Sequence, residues 1–496
     1  MAVYNFNYLK IMKYALVVLA ICSLGIRCGK EEEPNKVAEQ ETKQEEIVIP
    51  KVTAIKPSIQ VDLGFSYYQN RSIKSIVDEL VINGYQIVHY FVTNENFINK
   101  EFIDELRNAK VEVWLMTLGN GTYSTSNYPA GWQEWKMSLK ETNNGASGFT
   151  FLSPFNKDFV QWKKKKLAEI VTKYSFDGIE LAEAYFPAWN GPANPNYGDI
   201  GPNAAKAFKE AYGLEMPDFK NTSASNYYTK VPSVYYKWIE FRVTGINEFL
   251  NEIYNGNGGV REVRPDIKVA TWSLGINAGN KSSYQLTENQ GLDVKAMIKL
   301  VKPDLHYIQT HWPDWIKNEQ ALPPNYHNDY INFLREIKEV DLDLPVGIQA
   351  DIGSIKEMIK SEEWLNEFAE SAKNNGFSTF TAYEYHIGGH MYQLPPKVLK
   401  ATRLGEDCVQ LSFNKRVTIL GTEWKKNFKF IQNNEEIDPE LYKVELDGNQ
   451  IRLYLKENLK GSYLIKVENI EDTPELWLHS GFNANKISSG SEVLVN

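Results

Sequence analysis

Eight short apolar runs alternate with segments of helical periodicity, and this alternation constrains the fold more than any other feature of the chain. Strands of a parallel sheet covered by helices on both faces read as short, nearly continuous apolar runs. Eight strand–helix alternations predict a (β/α)8 TIM barrel in the α/β class. The predicted strands are Ile59–Phe65, Gln86–Phe91, Val111–Thr117, Gly178–Ala182, Lys268–Leu274, Leu305–Thr310, Val346–Ala350 and Ser378–Tyr383.

Helical patterns occupy the intervals between these runs. The predicted helices are Ser72–Asn83, Lys100–Ala109, Lys157–Tyr174, Tyr235–Tyr254, Asp329–Val340 and Ser354–Asn374. Within the third helix, Lys163–Lys166 reads as a solvated face rather than a nucleic-acid patch. The longest interval holds Ala184–Tyr228, a stretch containing Pro, Asn, Gly and Tyr, which we expect to form a loop that shapes a substrate cleft.

The pattern changes after Arg403, where β-type alternation replaces helical periodicity. Residues 55–404 are therefore assigned to the barrel, and residues 405–496 to a small antiparallel β-sandwich with a hairpin turn at Leu446-Asp447-Gly448-Asn449. This domain either binds carbohydrate or only supports the barrel, and support is the default because no row of exposed aromatic residues can be assigned. Its predicted strands are Cys408–Thr418, Tyr442–Val444, Gln450–Leu455 and Ser462–Val467.

The N-terminus reads as an export signal. Two lysines precede the apolar run Tyr14–Ile26, which is too short to span a bilayer comfortably. Leu24–Gly29 resembles a bacterial lipoprotein cleavage site with Cys28 as the lipidated residue, and Lys30–Glu33 resembles the acidic tags of surface lipoproteins in Gram-negative bacteria. We expect a signal peptide (1–28), a disordered tether (29–54) and a lipid anchor in the outer membrane or at the cell surface. A plain secretory signal and an uncleaved anchor are the alternatives.

Charge and composition exclude several classes of function. The chain has 54 basic and 63 acidic residues and a net charge of −9, which argues against a nucleic-acid partner. Aromatic residues make up 13%, which suits a protein that stacks on sugar rings but equally an aromatic-rich core. Cys22, Cys28 and Cys408 have neither metal-ligand spacing nor the number for a disulfide framework.

Candidate functional residues lie where the predicted strands end, because barrel enzymes place their reacting groups at the carboxyl ends of several strands. These positions lack a glycine-rich phosphate loop, a serine in a sharp elbow and a strand-ending lysine. The candidate substrate-binding residues are Glu180, Tyr67, His89, Asn94, Trp272, His311, Trp312, Asp314, Gln349, Tyr383 and His386. Their alternatives are structural: a buried partner for Glu180, packing for the rings and a helix cap for Asp314.

The carboxylates among the strand ends indicate glycosidic chemistry. Such cleavage needs an acid that protonates the leaving oxygen and a second carboxylate that attacks the sugar or activates water. Glu183 has apolar neighbours in sequence and Glu384 lies between two tyrosines, surroundings that raise a carboxyl pKa. We therefore predict Glu183 and Glu384 as the catalytic pair, with Asp351 in reserve and no metal or cofactor required.

A resemblance to glycoside-hydrolase barrels rests on several segments. The main one is Phe176–Pro187, which resembles their strand-4 signature, where Asp-Gly-Ile leads to acidic residues. Ser153–Asn156, Phe208–Pro217 and Trp238–Arg242 resemble segments of poorly characterised glycosyl-hydrolase-like barrel families. The resemblance spans about residues 55–400 and implies hydrolysis of an oligosaccharide or polysaccharide. Many such relatives have Asp where this chain has Ala182.

Two alternatives stay open beside an exported glycoside hydrolase. Ala182 motivates a surface lipoprotein that binds glycans on a barrel without catalysis. A metal-dependent deacetylase on the same scaffold would require His and Asp side chains that converge on one point.

Overall fold

The computed structural model describes residues 49–146, 148–188, 190–351, 355–383, 391, 393–478 and 481–496. The predicted signal peptide with Cys28, most of the predicted tether, and the candidates Glu384 and His386 lie outside the described residues. Within the described part of the chain, no helix is both long and apolar enough to cross a membrane.

The predicted (β/α)8 barrel is confirmed: eight parallel strands form a closed sheet in which each strand pairs with its neighbours in chain order and the last pairs with the first. The strands are β1 (Lys56–Val61), β2 (Ile87–Phe91), β3 (Glu112–Leu118), β4 (Gly178–Ala182), β5 (Lys268–Leu274), β6 (Leu305–Gln309), β7 (Val346–Asp351) and β8 (Thr379–Tyr383).

Helices cover the outside of this barrel, and several begin at side-chain caps that the sequence supplies. The Asn99 side chain accepts a hydrogen bond from Phe102 N–H, and the Asn156 side chain accepts one from Phe159 N–H. The helices of this region are α1 (Ile73–Ile82), α2 (Lys100–Asn108), α3 (Lys157–Lys173), α4 (Pro202–Tyr212), α5 (Pro232–Asn255), α6 (Val260–Val263), α7 (Ser282–Gln290), α8 (Val294–Val301), α9 (Trp312–Trp315), α10 (Ile331–Val340) and α11 (Glu362–Asn374).

Helix α3 corrects one expectation, since its lysines are not all solvated. Lys163 is 1% exposed, forms an ion pair with the buried Glu95 and donates to Leu118 O at 2.7 Å. Lys164 is also buried and contacts Glu252 at 2.5 Å, whereas Lys165 is exposed. Part of the basic run therefore faces the barrel, where Lys163 joins α3 to the end of β3.

The long interval after β4 contains α4 and builds an apolar cluster of its own. Trp238 of α5 lies at its centre and donates from Nε1 to the Tyr197 hydroxyl at 2.9 Å. The fully buried Arg242 lies over the Phe186 and Tyr197 rings and donates to the Gly198 carbonyl. These contacts fix the segment against the barrel on the side where β4 ends.

The chain ends in antiparallel sheets, as predicted. The strands are β9 (Val398–Arg403), β10 (Cys408–Phe413), β11 (Val417–Ile419), β12 (Phe428–Gln432), β13 (Glu435–Ile437), β14 (Leu441–Asp447), β15 (Gln450–Leu455), β16 (Tyr463–Val467), β17 (Ile470–Asp472) and β18 (Glu492–Val495). The orders are β9-β10-β15-β14 and β13-β12-β16-β18 in the two four-stranded sheets, with β11 and β17 as a separate pair. Strand β9 lies within the segment that we predicted as barrel.

Candidate active site

Glu183 directly follows β4 at the carboxyl end of the barrel. Its backbone has φ of 55°, a left-handed conformation that non-glycine residues seldom adopt. The flanking main chain is held on both sides: Gly119 N–H donates to Ala182 O at 2.7 Å, and Phe186 N–H donates to Gln290 O at 3.0 Å. The turn that carries Glu183 is therefore a fixed element of the rim.

The surroundings of Glu183 disfavour its charge. Burial raises the pKa of this carboxyl from 4.5 to about 7. The carboxylate in turn acts on the hydroxyls of Tyr123 and Tyr185, whose pKa values are raised first by burial and then by this nearby negative charge. A carboxyl that is about half protonated at neutral pH suits a proton donor.

Aromatic rings form a continuous wall beside Glu183. Ring centroids lie 4.9 Å apart for Tyr123 and Phe149, 4.7 Å for Phe149 and Phe151, and 5.9 Å for Phe151 and Tyr185. Trp272 of β5 continues the wall, 6.1 Å from Tyr185. Tyr123, Phe149, Phe151 and Tyr185 are partly exposed and present flat apolar faces of the kind that stack on sugars, whereas Trp272, a predicted substrate contact, is 1% exposed and lies behind them.

A short antiparallel ribbon places two of these rings. Gly121–Thr122 pairs with Thr150–Phe151, so Tyr123 and Phe149 lie side by side at its end. Gly121 is required there, because a Cβ atom would come 2.3 Å from the Phe149 ring. The ribbon lies in the segment that follows β3 at the rim of the barrel, and it was not predicted from the sequence.

Ala182 lies next to Glu183 in an apolar cluster with Phe91, Met116 and Leu118. All four side chains are buried, between 1 and 7% exposed. At the position where the resemblance implies an aspartate, the barrel therefore has buried apolar packing.

Two predicted substrate contacts, His89 and Glu180, meet inside the barrel. His89 Nδ1 lies 2.9 Å from Glu180 Oε2, and His89 Nε2 lies 3.0 Å from the Tyr307 hydroxyl. His89 and Glu180 are each 1% exposed. The structure brings them together as a buried Tyr–His–Glu network, the structural alternative we gave for Glu180, and neither side chain lines an open cleft.

The other predicted carboxylates belong to the ends of β7 and β8 in the sequence. In a closed barrel of eight strands, β8 lies across from β4, and Tyr383 of β8 is in register with Asp351 of β7. The side chains of both residues lie outside the description, as do Glu384 and His386, which follow β8 in the chain. Their roles stay predictions that depend on this position.

The loop after β6 carries three further candidates. His311 is partly buried, and burial lowers its pKa to about 4, so the ring is neutral near pH 7. Asp314 pairs with Lys317 at 2.5 Å and accepts a hydrogen bond from Tyr330. Trp312 is partly buried with its ring centroid 6.4 Å from that of His311. His311 and Trp312 therefore form a partly exposed pair, while Asp314 is held in the loop.

Three other candidates, Tyr67, Asn94 and Gln349, are buried. The Tyr67 hydroxyl donates to Glu79 and accepts from Arg416 N–H at 2.8 Å, where the barrel meets the C-terminal sheets. Asn94 donates to the Ser126 carbonyl at 2.9 Å. Gln349 is 3% exposed within β7.

The aromatic wall and Asn120 are the features that the prediction missed. Tyr123, Phe149 and Phe151 lie outside the eight apolar runs, and their convergence depends on the ribbon. Asn120 lies two residues after β3 and is not among the predicted site residues. Its place in Gly119-Asn120-Gly121, directly after a barrel strand, is the signal that marks a tight rim turn.

Within the described ranges, no group of three or more His, Cys, Asp and Glu side chains is arranged to hold a metal ion. The candidate His386 lies outside those ranges.

Comparison with known proteins yields fold-level likenesses only. No protein-family model and no curated protein matches the chain. The catalytic domain of a β-amylase from Paenibacillus polymyxa is 12% identical over 67% of this chain and 93% of its own, with a TM-score of 0.44. A β-galactosidase from Halorubrum lacusprofundi is 11% identical over 66% of this chain and 52% of its own, with a TM-score of 0.46.

A third solved structure, Ega3 from Aspergillus fumigatus in complex with galactosamine, is 13% identical over 69% of this chain and 96% of its own, with a TM-score of 0.33. The chain thus spans about half the length of the β-galactosidase that it matches.

Proposed function

We propose that this protein is an exported glycoside hydrolase in which Glu183 protonates the leaving glycosidic oxygen. The observation that carries the proposal is a carboxyl at the carboxyl end of a barrel strand, set beside aromatic rings in surroundings whose burial raises its pKa to about 7. Glycosidic cleavage needs such an acid, held protonated at neutral pH beside a surface that binds a sugar ring. The partly exposed rings from Tyr123 to Tyr185 offer that surface.

The proposal assigns the second carboxylate to the opposite rim. Glu384 follows β8, which faces β4 across the barrel, and Asp351 ends the adjacent β7. The proposal gives one of these two residues the task of attacking the anomeric carbon or activating water, with Glu384 preferred. The substrate class is an oligosaccharide or polysaccharide, bound against the aromatic wall and the pair His311 and Trp312.

Turnover by the Glu183→Gln variant tests this mechanism. A panel of 4-nitrophenyl glycosides and polysaccharides identifies a substrate with the wild-type protein. We expect the variant to lose about 10²–10⁴-fold in kcat on that substrate, the range for removal of a general acid. Wild-type kcat/KM should fall as pH rises through about 7, since the acid must carry its proton. Glu134→Gln, on an exposed side chain, is the control.

Unchanged turnover by Glu183→Gln would remove Glu183 from the mechanism.

The apolar cluster around Ala182 favours a second candidate function, a glycan-binding protein without catalysis. Calorimetry with the same polysaccharides separates the two: binding without release of reducing ends supports the second candidate.

The proposal places the protein outside the cytoplasm through a lipid on Cys28. The support is the sequence alone: an apolar run, a lipoprotein-like cleavage site and an acidic tag. Metabolic labelling with an alkyne fatty acid should mark the wild-type chain and Cys22→Ser but not Cys28→Ser. Equal labelling of Cys28→Ser would overturn the assignment.

A further inference from the structure

The turn that carries Glu183 is gripped by one buried amide side chain. Asn120 is 0% exposed. Its Nδ2 donates to the Tyr185 carbonyl at 3.0 Å, and its Oδ1 accepts from Tyr185 N–H at 3.0 Å. Tyr185, two positions after Glu183 in the turn that follows β4, thus satisfies both the donor and the acceptor of the Asn120 amide.

The main chain of Asn120 is also held in place. Its carbonyl accepts a hydrogen bond from Leu152 N–H at 2.8 Å, at the base of the ribbon. The preceding Gly119 lies so close to Ala184 that a Cβ atom would come 2.7 Å from the alanine methyl. The ends of β3 and β4 are therefore pressed together, with Asn120 as the polar link between them.

Hydrogen bonds hold the main chain on each side of Glu183. Ala182 is held through its carbonyl, Tyr185 through both main-chain groups and Phe186 through its N–H. Glu183 lies between these anchors with its left-handed φ of 55°. A conformation of this kind is unfavourable for a residue with a side chain and persists only where its surroundings impose it.

We propose that Asn120 is a positioning residue, whose paired hydrogen bonds to Tyr185 hold the Glu183 carboxyl inside the aromatic wall. The inference concerns where Glu183 sits, and its value for catalysis rests on the proposed function. Without the amide, the turn is free to relax to a negative φ, and the carboxyl moves from the rings toward water. Tyr123 and Tyr185 are the titratable groups on which the Glu183 charge acts.

The test follows the Glu183 carboxyl directly and needs no substrate. The full chain is labelled with glutamate carrying ¹³C at the side-chain carboxyl and titrated by NMR, and the Glu183 signal is assigned by its absence from Glu183→Gln. We expect a midpoint about one pKa unit or more lower in Asn120→Ala than in the wild type, because the relaxed turn hydrates the carboxyl. Asn120→Ser, which keeps one hydrogen-bonding group, should give an intermediate shift.

The matched control is Asn427→Ala, which removes an amide that is 2% exposed and donates to Leu420 O in the C-terminal sheets. It should leave the Glu183 midpoint unchanged. An unchanged midpoint in folded Asn120→Ala overturns the positioning role. So does failure of both Asn120 variants to fold while Asn427→Ala folds, because the amide would then serve the barrel as a whole. Activity retained by Glu183→Gln contradicts the proposed hydrolysis but leaves this result untouched.

Discussion

At the scale of single residues, Glu180 and Glu183 show how position in one strand decides the role of a carboxyl. Glu180 points into the barrel and is 1% exposed, with His89 as its partner. Glu183 lies where the strand ends, among phenol rings, and no cation is paired with it within the described residues. Glu180 therefore lies buried against a histidine, whereas the burial of Glu183 among phenols favours the neutral acid.

This difference predicts a pH-dependent stability for Glu183→Gln. The folded-state pKa of Glu183 is raised to about 7 from 4.5, so its contribution to stability is complete below pH 4.5 and is lost as pH rises through 7. The variant should gain about 2 kcal/mol of unfolding free energy relative to the wild type between pH 4.5 and pH 8, a value reduced for partial exposure of the side chain. Urea denaturation at the two pH values measures it.

The comparison is between variant and wild type at each pH, so the titration of other groups cancels. Glu134→Gln should show the same difference from the wild type at both pH values. A constant difference for Glu183→Gln would mean that its carboxyl titrates normally in the folded protein.

At the scale of elements, the barrel strands were predictable because they are buried on both faces. β4 and β5 have the predicted bounds, and most others differ by one residue at an end. The first strand is the exception: we predicted Ile59–Phe65, but it ends at Val61 because the Asp62 carboxylate accepts from Gly64 N–H at 2.8 Å and starts a turn. A local side-chain hydrogen bond of this kind outweighs apolar character in deciding where a strand stops.

The rim could be predicted only in part. Position in the chain was enough to place Glu183 at a strand end, whereas the wall beside it depends on the two-residue strands Gly121–Thr122 and Thr150–Phe151. Such strands carry too few residues to show a period. In the C-terminal domain, β13 and β17 are three-residue strands and were missed for the same reason.

Packing between β3 and β4 gives a prediction at this scale. Gly178 opens β4, and a Cβ atom there would come 2.3 Å from the buried Trp114 ring of β3. Gly178→Ala should lower the unfolding free energy by about 1–3 kcal/mol, because overpacking forces the ring or the strand to shift. Urea denaturation followed by circular dichroism measures the loss.

Gly405→Ala is the matched control for this substitution, since its Cβ would meet only the Asp407 carboxylate at 3.7 Å. We expect it to change the unfolding free energy little. If Gly178→Ala is as stable as the wild type, β3 and β4 accommodate the added methyl group, and the predicted overpacking is wrong.

At the scale of the whole molecule, the C-terminal sheets are joined to the barrel by a polar junction at α1. Asp447 accepts hydrogen bonds from Ser72 N–H at 2.8 Å and from its hydroxyl at 2.5 Å. Arg71 pairs with Glu79 at 2.6 Å, both side chains being buried, and donates to Asn449 at 3.0 Å. Because buried charges on the barrel are satisfied by groups of the sheets, separating the two would leave polar groups unpaired. This supports a structural role for the C-terminal domain.

Such a junction predicts that barrel and sheets unfold together. Scanning calorimetry of the wild type should show one transition, and Asp447→Ala should lower its midpoint, because two hydrogen bonds to a charged acceptor contribute about 1.5–3 kcal/mol each. Asp438→Ala should leave the midpoint unchanged, since Asp438 and Lys425 form a pair that is more than 60% exposed on both sides. Two resolved transitions in the wild type would show that the sheets fold independently, and the junction would then be a contact between separate domains.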